Sequence, residues 1–148
     1  MARGIVRHWK INQALYAQYG GHLVYQPDNP FALNNLALGF MGTKPAAAVT
    51  HAQRLLSLFP AQPKVLDTVG TVRLAAGDGT GAVEVLSRAH DQAPSNPQIA
   101  FHLAQALVAA AAPGRARELL RPIVSQDFAE QVQARDLLSR LEAGAPRN

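Results

Sequence analysis

The sequence predicts an all-α fold, a solenoid of stacked helix-turn-helix repeats with an N-terminal helix and a C-terminal capping helix. Three observations carry this. Pro30, Pro63 and Pro97 each open an apolar-periodic run and lie 33 and 34 residues apart, while Pro60 and Pro94, 34 apart, stand where a run has just ended. Small residues recur in register, as Ala37, Gly70 and Ala104 in the first helix of each unit and Ala48, Ala82 and Ala116 in the second. The composition, 48% apolar with 16% charged and 6% aromatic, suits a packed domain whose core is mainly Ala, Leu and Val and excludes a disordered chain.

The units follow in order. The first spans 29–61, with a helix from Pro30 to Phe40, a turn at 42–44 and a second helix from Pro45. The second spans 62–95, turning at Gly77-Asp78-Gly79, and the third spans 96–128, turning near Pro113-Gly114. Asn29 and Asn96 precede their prolines; the Asn side chain caps an orphan N–H, and Pro at the first helical position loses no useful donor. Neither helix of a unit can bury its apolar face alone, so neighbouring units must stack. Pro122 lies within the second helix of unit three and predicts a kink or break between Glu118 and Pro122.

Two flanks complete the chain. Residues 1–28 lie outside the repeats: Ile5 to Tyr19 reads as a helix and His22 to Gln26 as a short extended stretch. Residues 129–148 form a C-terminal cap and tail, with Val132, Leu137, Leu138 and Leu141 on one face, Asp127 and Glu130 as a capping box and Gly144 as the stop.

The chain of 148 residues has 14 Lys+Arg against 10 Asp+Glu, a net charge of +4. The basic residues are dispersed rather than striped among aromatics, which argues against nucleic acid as a partner. The longest apolar stretch, Ile99 to Ala112, is interrupted by His102 and Gln105 and is too short to span a bilayer, so no membrane insertion is expected. Arg7, His8 and Lys10 occupy the place where a secretory signal needs an apolar run. As written, the chain is expected in the cytoplasm, or in the periplasm if it is a piece of a longer exported protein.

Catalytic signals are weak. Gly77-Asp-Gly-Thr-Gly81 has neither the Lys-Ser/Thr ending of a phosphate loop nor the several acids of a calcium loop, and it falls where the repeat needs its turn. Zero Cys excludes thiolate sites, and none of the five His pairs with another at a metal-ligand spacing. The serines have no nucleophile-elbow context. The reading is a non-enzymatic chain with no cofactor, no metal and no small-molecule substrate.

The repeat positions resemble the tetratricopeptide repeat (TPR) family. The family pattern of a small residue at position 8, Ala at 20, a small or apolar residue at 27 and Pro at 32 is met by Ala37, Ala48, Leu55 and Pro60, then by Gly70, Ala82, Ala89 and Pro94. In the third unit Ala104, Ala116 and Ile123 fit, and Phe128 replaces Pro. More finely, Leu33-Asn-Asn-Leu-Ala, Val65-Leu-Asp-Thr-Val-Gly and Phe101-His-Leu-Ala-Gln-Ala resemble the C-terminal repeats of bacterial TPR proteins associated with exopolysaccharide production and PEP-CTERM surface sorting.

The resemblance implies a right-handed superhelix whose first helices line a concave face. On this chain the implied partner-binding residues are Asn34, Asn35, Leu38, Asp67, Thr71, Phe101, His102 and Gln105. Such a groove holds an extended peptide or partner protein, with amides and a hydroxyl on the backbone and Phe101 as an apolar anchor. The concave positions also include Met41, Lys64, Thr68, Leu74, Gln98 and Val108, and with Lys64 as their lone lysine or arginine a clamp for a terminal carboxylate is disfavoured. Two rival readings are a self-associating piece of a larger exported assembly and a basic surface binding an acidic polymer.

Overall fold

The computed structural model describes residues 28–144, together with Ala14, Ala17 and Gln18. Apart from those three positions, the expected Ile5–Tyr19 helix and the 22–26 stretch lie outside the described residues. Within residues 28–144 seven helices follow in order: α1 Pro30–Phe40, α2 Pro45–Leu58, α3 Pro63–Ala75, α4 Gly79–Gln92, α5 Pro97–Ala109, α6 Pro113–Leu120 and α7 Gln131–Ala143. The described residues contain no strand.

Local chemistry sets the helix ends. Asn29 Oδ1 accepts from the Ala32 N–H at 3.0 Å, and Asn96 Oδ1 accepts from the N–H groups of Gln98 at 3.0 Å and Ile99 at 3.3 Å. Asp78 caps α4 by accepting from the Gly81 N–H at 2.8 Å, so the glycine-rich stretch is a helix start. Gly77, with φ of 87°, and Ala111, with φ of 58°, occupy the same position 34 residues apart. Each is followed by a bond that closes a Schellman turn: the Asp78 N–H donates to Arg73 O at 3.0 Å and the Ala112 N–H to Leu107 O at 2.8 Å. Only Gly adopts that left-handed conformation without steric cost, and the third unit places Ala there.

Helix pairs α1/α2, α3/α4 and α5/α6 stack in chain order, α3 touching both α1 and α5. The recurrent small residues lie at the tightest contacts: Ala37, Ala48, Ala82, Ala104 and Ala116 are fully buried. A Cβ built on Gly70 would lie 2.3 Å from Leu86 Cγ, so α3 and α4 pack across a gap that admits no side chain. Leu36, Val69 and Leu103, one residue earlier in each unit, are core.

The third unit departs from its predecessors. Pro122 cannot donate to the Glu118 carbonyl, and α6 stops at Leu120. The chain then turns, with the Ile123 and Val124 N–H groups both donating to Leu120 O at 3.1 and 3.2 Å. This is the break that Pro122 predicts.

The C-terminal helix differs from expectation in two ways. It begins at Gln131, with Glu130 as its N-cap residue making no side-chain cap bond, so no Asp127–Glu130 capping box forms. Its inner face is Ala134, Leu137, Leu138 and Leu141, whereas Val132 is 74% exposed. The i, i+3/i+4, i+7 spacing of the first set excludes Val132 from that stripe. The N-cap residues Asn29, Gln62, Asn96 and Glu130 are 33, 34 and 34 apart, so α7 stands where a fourth unit would place its first helix.

Candidate functional site

The first helices share a groove of about 690 Å3 lined by Asn34 and Leu38 of α1 with its C-cap Met41, Pro63, Lys64, Asp67, Thr68 and Thr71 of α3, and Gln98, Ile99 and His102 of α5. The N-cap residues Asn96 and Glu130 complete it. Five expected residues, Asn34, Leu38, Asp67, Thr71 and His102, therefore come together on one surface spanning three units.

Polar groups in this groove bond across repeats in a fixed pattern. Thr68 Oγ1 donates to Asn34 Oδ1 at 2.7 Å, and His102 Nδ1 lies 2.7 Å from Asp67 Oδ1. In both pairs the fifth residue of one first helix meets the sixth of the next. A carboxylate only accepts, so the proton of the second bond sits on Nδ1 of His102. Thr71 Oγ1 donates to its own helix at Asp67 O, 2.8 Å away, and lies 3.5 Å from His102 Nδ1. Thr68 is 5% exposed, and without Asn34 its hydroxyl would be a buried polar group lacking its partner. These side chains thus hold the stacking register as well as line the groove.

Three expected residues fall elsewhere. Phe101 is 3% exposed and belongs to the core, its ring 6.4 Å from that of Phe128, which stands where the repeat pattern expects Pro. It occupies the same fifth position as Asn34 and Asp67, but here the next first helix is α7, and Phe101 packs toward Leu137 rather than forming a polar link. The expectation of an exposed aromatic anchor is therefore corrected: a repeat array short of large side chains uses this one for packing. Gln105 borders a separate cleft of about 350 Å3 with Phe101, Val108 and residues of α7. Asn35 does not line the groove; its Oδ1 accepts from Nδ2 of Asn34, which does, at 3.5 Å.

Pro63, Asn96, Ile99 and Glu130 are lining residues that sequence reasoning missed. The signal for Glu130 was available in the 34-residue spacing from Asn96. Glu130 Oε1 accepts from Gln98 Nε2 at 3.0 Å, while its Oε2 is buried with no hydrogen-bond partner among the described residues.

On the opposite side, α4 and α6 border a cleft of about 490 Å3 with Ser87, His90, Asp91, Arg115 and Glu118. Among the described residues no three His, Asp or Glu side chains cluster to hold a metal ion, and no helix is long and apolar enough to cross a membrane.

The tetratricopeptide repeat family model matches residues 73–142. Residues 73–142, close to half of the chain, thus resemble tetratricopeptide repeats. The match runs through α7, in agreement with the position of that helix in the repeat spacing. No curated protein matches the chain significantly by sequence. A crystal structure of MamA superposes with a TM-score of 0.72 at 18% identity, covering 90% of this chain and 78% of that one. The first TPR domain of the human RPAP3 protein, solved by NMR, superposes with a TM-score of 0.61 at 13% identity, covering 80% of this chain and 99% of that one. At these identities the likeness establishes the helical repeat fold. A tetratricopeptide repeat array is in general a non-catalytic scaffold for protein interaction.

Proposed function

We propose that this chain is a non-enzymatic interaction module that receives an extended segment of a partner protein along α1, α3 and α5. The observation that carries the reading is the groove itself. One continuous channel crosses three units, with Leu38, Met41 and Ile99 as apolar contacts beside Asn34, Lys64 and Gln98 as polar ones. That mixture suits a peptide, whose backbone needs donors and acceptors while its side chains need apolar recesses. The contact set for this reading is Asn34, Leu38, Lys64, Asp67, Thr71, Gln98 and His102, without Phe101.

The resemblance of the repeats to those of exopolysaccharide and surface-sorting TPR proteins supports a bacterial envelope system as the setting. A photo-crosslinking amino acid placed at Leu38 or Lys64 in cells should trap one partner, and the same group at Arg88 on α4 should not. Equal trapping from Arg88 would refute the groove reading. Crosslinks joining two copies of this chain would favour self-association instead.

A further inference from the structure

We propose that the groove selects a peptide bearing a basic side chain, seated beside α5 between Glu130 and Asp67; this rests on the peptide-groove reading above. Gln98 and His102 lie about one turn apart on α5, about 6 Å along the axis, and each holds a carboxylate from a neighbouring element. Gln98 holds Glu130 at 3.0 Å and His102 holds Asp67 at 2.7 Å. Two carboxylates are thereby presented along one ridge of the groove wall.

The Glu130 carboxylate is half used. Its Oε2 is buried yet meets no donor among the described residues. A carboxylate oxygen left unmatched is costly, and a turn of the Glu130 side chain that brings this occluded oxygen to the groove surface would let a ligand's donor remove that cost. Lys brings three donors and Arg five, each with the complementary charge.

Charge across the groove agrees. Lys64 is the one lysine or arginine among the described lining residues, against Asp67 and Glu130, so the groove is acidic on a chain whose net charge is +4. Nonspecific attraction to this protein favours acidic ligands, and a basic preference can arise only from local groups such as these. A peptide ending in a carboxylate would face both acids with only Lys64 to receive it. The apolar neighbours Leu38 and Met41 provide for a hydrophobic residue alongside the basic one.

The test is an array of degenerate heptapeptides, acetylated and amidated at their ends, with one fixed central residue in each well. The full chain should bind Lys and Arg wells about fivefold more strongly than Asp and Glu wells, the scale of a partly buried charge pair. Glu130→Gln keeps the acceptor for Gln98 but removes the charge, and should reduce that preference to less than about twofold, with neutral wells of the same variant as the reference. Lys64→Gln should increase it, and thermal melts confirm that each variant folds.

Acidic wells binding as well as basic ones would overturn the inference, as would a basic preference that survives Glu130→Gln. Neutral wells that bind without charge preference, and that are lost in Leu38→Arg, would defeat the inference but leave the peptide groove standing. Binding in no well would defeat both.

Discussion

Asp67 and His102 meet across the second and third repeats, Oδ1 to Nδ1 at 2.7 Å, with each side chain about one-sixth exposed or less. The same positions one repeat earlier are Asn34 and Thr68, also 2.7 Å apart. The third junction replaces this link with Phe101 packed against Phe128. Two polar links and one aromatic contact therefore set how each unit sits on the next.

The Asp67–His102 link should be measurable as a coupling. Asp67→Ala and His102→Ala should each destabilise by about 1–2 kcal/mol in urea unfolding, since each leaves a shielded polar partner unmatched. The double variant should cost less than the sum, by about 1 kcal/mol. Strict additivity would show that the two side chains do not stabilise each other.

Close packing of α3 on α4 gives a second prediction. Gly70→Ala places a Cβ 2.3 Å from Leu86 Cγ, and Ala82 is fully buried on the opposing helix. Gly70→Ala and Ala82→Leu should each lower stability by about 1–3 kcal/mol through overpacking. Combining Gly70→Ala with Leu86→Ala should recover part of the clash while leaving a cavity. A melting temperature unchanged by Gly70→Ala would mean that the helices are further apart than described.

The turns offer a substitution that should stabilise. Ala111 holds φ of 58° where the preceding unit has Gly77. Ala111→Gly should raise stability by about 0.5–1 kcal/mol by removing left-handed strain, and Gly77→Ala should lower it by a similar amount. Chemical denaturation of the two variants gives shifts of opposite sign if the turn conformations are as described.

His51 sets a pH dependence. Burial lowers its pKa below the ordinary 6.5, and its ring lies 6.1 Å from that of Phe40. Between the folded and unfolded values the unfolded chain binds more protons, so stability rises with pH across that window. The protein should be most stable above about pH 6.5 with respect to this group, and lose stability as pH falls through 6.5 toward the folded value. Urea midpoints of the native chain and His51→Gln should differ in slope over pH 5 to 7, and identical slopes would contradict the assignment.

The repeat architecture was legible because its signals are local and recur. Proline and asparagine at helix starts, Gly77 in its turn and Ala82 at its contact each act through backbone chemistry that a spacing reveals. The Pro122 break is legible for the same reason. The side-chain destinations were less so. Phe101 and Asp67 share a repeat position, and only the identity of the next helix decides that one is core and the other groove. Glu130 looked like half of a capping box because Asp127 stands at the right spacing, yet its carboxylate turns to Gln98 on a neighbouring helix. Val132 falls off the apolar stripe because it stands five and six residues before Leu137 and Leu138, spacings that a helix of 3.6 residues per turn places on different faces. Long-range partners of this kind carry no sequence spacing of their own until the repeat register is extended to a fourth unit.

The central claim is that ligands occupy the face shared by α1, α3 and α5. An amide-correlation NMR titration of the full chain with a pool of degenerate heptapeptides tests it most directly. The side-chain amides of Asn34 and Gln98 and the backbone amides of Thr68, Thr71 and His102 should shift together, while Ser87, Arg88 and Glu118 on the opposite face stay fixed. Shifts confined to α4 and α6, or none at saturating pool, would contradict the account.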